Sequence, residues 1–105
     1  MAETCKILGF TYQIEEVDEI SRTEDLNGLI VYDDLTIYLE KNLPEEKRRE
    51  TLLHEVIHGI SEGAGIGLTE KAVQVLSRTL YSFFEENTAI SSYLVAGKEP
   101  SLPQT

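Results

Sequence analysis

Apolar and polar residues alternate through Cys5-Lys6-Ile7-Leu8-Gly9-Phe10 and again through Thr11-Tyr12-Gln13-Ile14-Glu15-Glu16-Val17. A period of two, carried by β-branched and aromatic side chains, predicts strands. A turn near Gly9 to Thr11 would join them as a hairpin. The polar run from Asp18 to Asn27 predicts a loop, with Asn27-Gly28 as its turn signal. Leu29-Ile30-Val31-Tyr32 then predicts a strand, Asp33-Asp34 a turn, and Leu35-Thr36-Ile37-Tyr38-Leu39-Glu40 another strand. The first half therefore reads as a small, mostly antiparallel sheet of three to four strands.

The period changes after Asn42-Leu43-Pro44-Glu45-Glu46. Asn42 can cap a helix, Pro44 suits a first helical turn, and two carboxylates sit favourably at the positive end of the helix dipole. This helix is expected to run to about Glu62, with Leu52, Leu53, Val56, Ile57 and Ile60 forming its apolar stripe. Gly63-Ala64-Gly65-Ile66-Gly67 ends it as a flexible connector. With no strand before it and no Lys-Ser/Thr after it, this run is not a phosphate loop. Thr69 is the next N-cap, and a second helix from Glu70 carries Val73, Leu76, Leu80, Phe83 and Phe84 as a core stripe. Ala89 to Val95 predicts one or two further turns, and Gly97 to Thr105 a loose tail. The fold class is α+β: a minimal domain over residues 1–96, its N-terminal sheet packed on two or three C-terminal helices.

A length of 105 residues suits one such domain. The net charge of −10 excludes a basic stripe for tracking phosphates, so no nucleic-acid partner is expected. No apolar run approaches the 18 or more residues of a membrane span, and no basic stretch followed by an apolar segment opens the sequence. A lone Cys5, read as a strand residue, fits a reducing compartment. The expectation is a cytoplasmic protein.

Candidate chemistry concentrates in Thr51-Leu52-Leu53-His54-Glu55-Val56-Ile57-His58-Gly59, which holds both histidines of the chain. Positions i and i+4 lie on one face of a helix, so His54 and His58 can grip one metal ion with Glu55 beside them. Chance gives this spacing with an adjoining glutamate about once in 400, and both rings point away from the apolar stripe. Two nitrogen ligands plus a carboxylate base are what a zinc hydrolase needs.

A catalytic zinc takes three protein ligands and leaves a position open. No third histidine exists, so the third ligand is a carboxylate, Cys5, or nothing. Six residues beyond His58 stands Ala64, and twenty beyond stands Arg78, which exclude the metzincin and thermolysin-like spacings. Glu70 is the leading candidate, because a short connector can fold the second helix back across the first. Glu62 is a rival one turn beyond His58, but lies too far along the axis. Glu85 and Glu86 read as solvated helix-end charges.

His54-Glu55-Val56-Ile57-His58, preceded by Thr36-Ile37-Tyr38-Leu39 and followed by Leu68-Thr69-Glu70-Lys71-Ala72-Val73, resembles the small phage and prophage-encoded zincins. These are relatives of the ImmA/IrrE metallopeptidases within the gluzincins, and the likeness spans roughly residues 5 to 95. It implies a zinc-dependent protease with Glu70, three residues before Val73, as third ligand, and a protein or peptide substrate such as a repressor encoded nearby. The chain lacks the longer segment that larger relatives place between the two motifs.

On this reading Zn2+ held by His54, His58 and Glu70 lowers the pKa of its water to about 7, and Glu55 takes the proton and passes it to the departing amine. The strand from Thr36 to Leu39 would pair with an extended substrate. Tyr32, Tyr38, Tyr81 and Tyr93 all remain open as a second group for the oxyanion. The competing reading is a non-catalytic zinc-binding module that engages a partner. A structural zinc is expected to have four protein ligands, however, and three at best are in hand.

Overall fold

A computed structural model of the chain describes residues 4–18, 20 and 27–97. Within them run β1 (Thr4–Ile7), β2 (Phe10–Val17), β3 (Gly28–Val31), β4 (Thr36–Glu40), α1 (Glu45–Ala64), α2 (Glu70–Glu86) and α3 (Thr88–Ala96). The architecture is α+β, as the residue pattern predicts. Most of the expected loop between Asp18 and Asn27, and the expected tail beyond Gly97, lie outside the described residues. No helix among those described is long and apolar enough to cross a membrane.

The first hairpin turns at Leu8-Gly9, slightly ahead of the predicted position. Both residues have positive φ, 49° and 87°, which matches a two-residue turn with the twist of the flanking strands. β1 pairs antiparallel with β2 from Thr4 opposite Gln13 to Ile7 opposite Phe10. The second hairpin, β3–β4, is also antiparallel, but β4 lies parallel to β2. The resulting order, β1-β2-β4-β3, makes β4 an interior strand and β3 an edge. This corrects the expectation for Thr36 to Leu39. With β2 on one side and β3 on the other, that strand has no free backbone for a substrate.

The core consists of Ile7, Tyr12, Ile30, Ile37 and Leu39, with Leu52 and Val56 of α1 packed against it. The face that α1 buries shares Leu52, Val56 and Ile57 with its predicted apolar stripe but is shifted off Ile60. Thr51, Glu55 and Gly59, four residues apart, are buried together with Ile57 and Ser61, while Ile60 is 40% exposed. Small residues on that row let helix and sheet approach closely. A Cβ on Gly28 would stand 2.6 Å from Thr51 Cγ2, and one on Gly59 2.7 Å from Ile7 Cδ1. As a consequence the Glu55 side chain of α1 is held against the edge strand.

Asn42 does not cap α1. It adopts φ 66° in the turn that ends β4, and Pro44 takes the cap position without a side-chain bond. At the other end Gly65, at φ 67°, donates to Glu62 O and Ile66 donates to Ser61 O, a Schellman arrangement. The connector after it is anchored rather than loose, because Leu68 N–H donates to Ser61 Oγ at 2.8 Å. Thr69 caps α2 as expected, accepting from Ala72 N–H at 3.1 Å.

The layers stack as sheet, α1, α2. Among the described elements α2 packs on α1 and α3 and does not reach the sheet. Its predicted core stripe is therefore only partly covered. Val73 is fully buried, but Leu76, Leu80, Phe83 and Phe84 remain 36–41% exposed.

Candidate metal centre

His54 and His58 project from adjacent turns of α1, their ring centroids 4.9 Å apart. Glu70, at the first position of α2, is swung over them by the anchored connector and the Thr69 cap. Its Oε1 lies 2.8 Å from His54 Nε2 and its Oε2 2.8 Å from His58 Nε2. The donor atoms of the three residues all lie within 4.8 Å of one another. The other candidates are not brought in. Glu62 is exposed on the last turn of α1, Glu85 and Glu86 are exposed at the far end of α2, and Cys5 packs beside the core from β1. Burial pushes the Cys5 thiol up from its ordinary value.

Ser77 adds an element that the sequence reading passed over. It is 1% exposed, and its hydroxyl lies 3.1 Å from Gln74 O and 3.4 Å from His54 Nδ1. The Ser77 hydroxyl is within reach of both Gln74 O and His54 Nδ1, and the direction of its bond to the ring follows the ring tautomer. Where Nδ1 carries the ring proton and donates to Ser77 Oγ, Nε2 presents its lone pair beside the Glu70 carboxylate, the form that binds a metal ion. Two imidazoles, one carboxylate and an open side make a donor set suited to catalytic zinc. The spacing of seven residues from Glu70 to Ser77, two turns on one face, was the signal in the sequence. Ser77→Ala is expected to weaken zinc binding about 10–100-fold, as loss of an outer partner does, measured by chelator competition. Ser77→Thr, which keeps the hydroxyl, should restore most of it.

Glu55 is 7% exposed and accepts a bond from the backbone N–H of Ile30 on the edge strand. Burial, reinforced by the nearby Glu70 carboxylate, pushes its carboxyl up to about 7, with the Ile30 bond opposing the shift. An open groove passes along this carboxylate. One arm is apolar, lined by Leu29, Ile30 and Tyr32 with His58. The other is polar, lined by Asn27, Lys47, Glu50, Gln74 and Arg78. Arg78 Nε lies 3.6 Å from Glu50 Oε1 across that arm.

Of the four candidate tyrosines only Tyr32 lines the groove, and its hydroxyl donates to His58 O at 3.2 Å. Tyr38 lies on the interior strand, and Tyr81 and Tyr93 on α2 and α3, away from it. Comparison with protein-family models, with curated proteins and with solved structures finds no match to the chain.

Proposed function

We propose that the protein is a zinc-dependent peptidase that hydrolyses peptide bonds of a protein or peptide substrate. One observation carries this reading: the imidazoles of His54 and His58 and the carboxylate of Glu70 converge on one point beside a buried Glu55, at the mouth of a groove floored by an edge strand. His54, His58 and Glu70 would hold the ion. Zinc there supplies Lewis-acid polarisation of a water molecule and of the scissile carbonyl.

The chain's own residues do the remaining work. Glu55, buried beside the three converging donors, would take a proton from the attacking water and return it to the leaving amine. Among the described residues no strand pairs with the outer edge of β3. Apart from Ile30 N–H, which Glu55 holds, its main-chain groups along the groove are where an extended peptide can add to the sheet. Tyr32 is the hydroxyl placed to swing from His58 O toward a developing oxyanion.

Protein purified without added metal is expected to contain about one zinc per chain and to cleave an unfolded polypeptide, with loss of cleavage on chelation and recovery on zinc return. A chain that carries no zinc and takes none up overturns the proposal.

A further inference from the structure

The two arms of the groove meet at the metal centre, where Gly28, His54, Glu55 and Glu70 line both. Beyond that junction their chemistry diverges. Leu29, Ile30 and Tyr32 wall one side. On the other, α1 contributes Lys47 and Glu50, and α2 contributes Gln74 and Arg78. Charge is therefore spread unevenly. The chain holds 9 Lys and Arg against 19 Asp and Glu, yet among the described residues this arm beyond the junction holds two cations and one carboxylate.

Glu50 leaves both cations available. Arg78 reaches it with Nε, at 3.6 Å, and the arginine side chain is 63% exposed. Among the described residues the two Nη groups of Arg78 meet no acceptor, and Lys47, also exposed, has no ionic partner. A guanidinium held at Nε presents its Nη pair as a fork that matches a carboxylate.

We propose that this arm receives a carboxylate of the substrate, gripped by Arg78 and Lys47, while apolar side chains beyond the cut lie against Leu29, Ile30 and Tyr32. This rests on the peptidase reading and gives it a substrate class: peptides acidic on one side of the scissile bond and apolar on the other. The register follows from helix rise. Lys47 stands seven residues before His54 and Arg78 eight after Glu70, about 10 and 12 Å along their helices. An extended chain covers that distance in about three or four residues of about 3.3 Å each. With side-chain reach included, the carboxylate sits about two to four residues from the cut. An Asp or Glu side chain and a chain terminus both present the group. The net charge of −10 repels such a peptide at long range, but salt at 0.15 M screens that repulsion beyond about 8 Å, whereas direct contact with the two cations persists.

The test gives a mixed-sequence peptide library to the full, zinc-loaded chain at about 0.15 M salt and sequences the products by mass spectrometry. Asp and Glu are expected to be enriched about fivefold at two to four residues from the cut, on one side only, the upper end for an exposed charge pair. Enrichment that survives amidation of the library's C-termini is read from side chains, and enrichment confined to free termini is read from chain ends. Arg78→Glu should replace this preference by one for Lys and Arg at the same position, which a merely structural role for Arg78 does not produce. Cleavage without acidic preference, or a preference that Arg78→Glu leaves unchanged, overturns the proposal while the peptidase reading stands. A second measurement needs no hydrolysis. By fluorescence anisotropy, zinc-loaded Glu55→Gln protein should bind a labelled peptide with three Glu among Ala and Leu about fivefold more tightly than its Gln counterpart. Equal binding overturns the carboxylate site. Preference for the Glu peptide in a chain whose wild type cuts nothing would keep that site and remove the peptidase.

Discussion

Glu55→Gln is expected to cut hydrolysis by about 10²–10⁴ while leaving zinc in place, the range that a positioned general base contributes. The amide matches the carboxylate in shape, and its carbonyl oxygen can still accept from Ile30 N–H, so the clamp between α1 and β3 persists. What it cannot do is take a proton. Zinc retention follows because Glu55 is not among the three converging donors. Single-turnover cleavage and metal analysis on the same sample check both halves. Activity within tenfold of wild type would remove Glu55 from the chemistry. A biological effect that survives with cleavage abolished would favour the zinc-binding module instead.

The same residue makes a thermodynamic prediction for the metal-free protein. Its carboxyl rises from 4.5 to about 7 on folding, so the folded state holds a proton that the unfolded chain has released. Stability from this group is complete below the unfolded value and is lost as pH rises through the folded one. The expected loss between pH 4.5 and 8 is on the order of 2–3 kcal/mol, and Glu55→Gln should remove that slope. Denaturant unfolding in the presence of a chelator measures it.

What the sequence revealed, and what it hid, divides along physical lines. The helical period alone puts His54 and His58 on one face, and the short connector with its Thr69 cap places Glu70 within reach of them. These are local rules, and the observed contacts obey them. Strand alternation identified all four strands but carries no record of who neighbours whom. β4 slots between β2 and β3 through long-range pairing, so the edge of the sheet falls to β3 rather than to Thr36 through Leu39. Asn42 satisfied a capping rule yet went to a left-handed turn that its side chain also tolerates. The glycine run after α1 read as flexible because nothing in its own composition reveals that Ser61, seven residues before Leu68, holds it. Periodicity on α2 reported an amphipathic helix correctly. It could not report that α1 already covers the sheet, leaving the stripe to face outward.

Glu70→Ala should lower zinc affinity by more than the roughly 10–100-fold typical of an outer partner, because it removes a donor rather than its support. Two imidazoles from a single helix then remain, and the contact left from α2, Ser77 against His54 Nδ1, supplies no metal donor. Glu70→Gln keeps an oxygen but loses the charge, so its affinity should fall between wild type and alanine. A second readout needs no metal. The Glu70 carboxylate helps to hold the Glu55 carboxyl high, so in chelated Glu70→Ala protein the Glu55 titration, followed by carboxyl NMR, should move down toward the ordinary range. The Thr69 cap stays intact in this variant, which separates loss of a ligand from loss of the helix start. Undiminished zinc affinity in Glu70→Ala, coupled with loss in Glu62→Ala, would shift the third donor to α1 and undo the two-helix site.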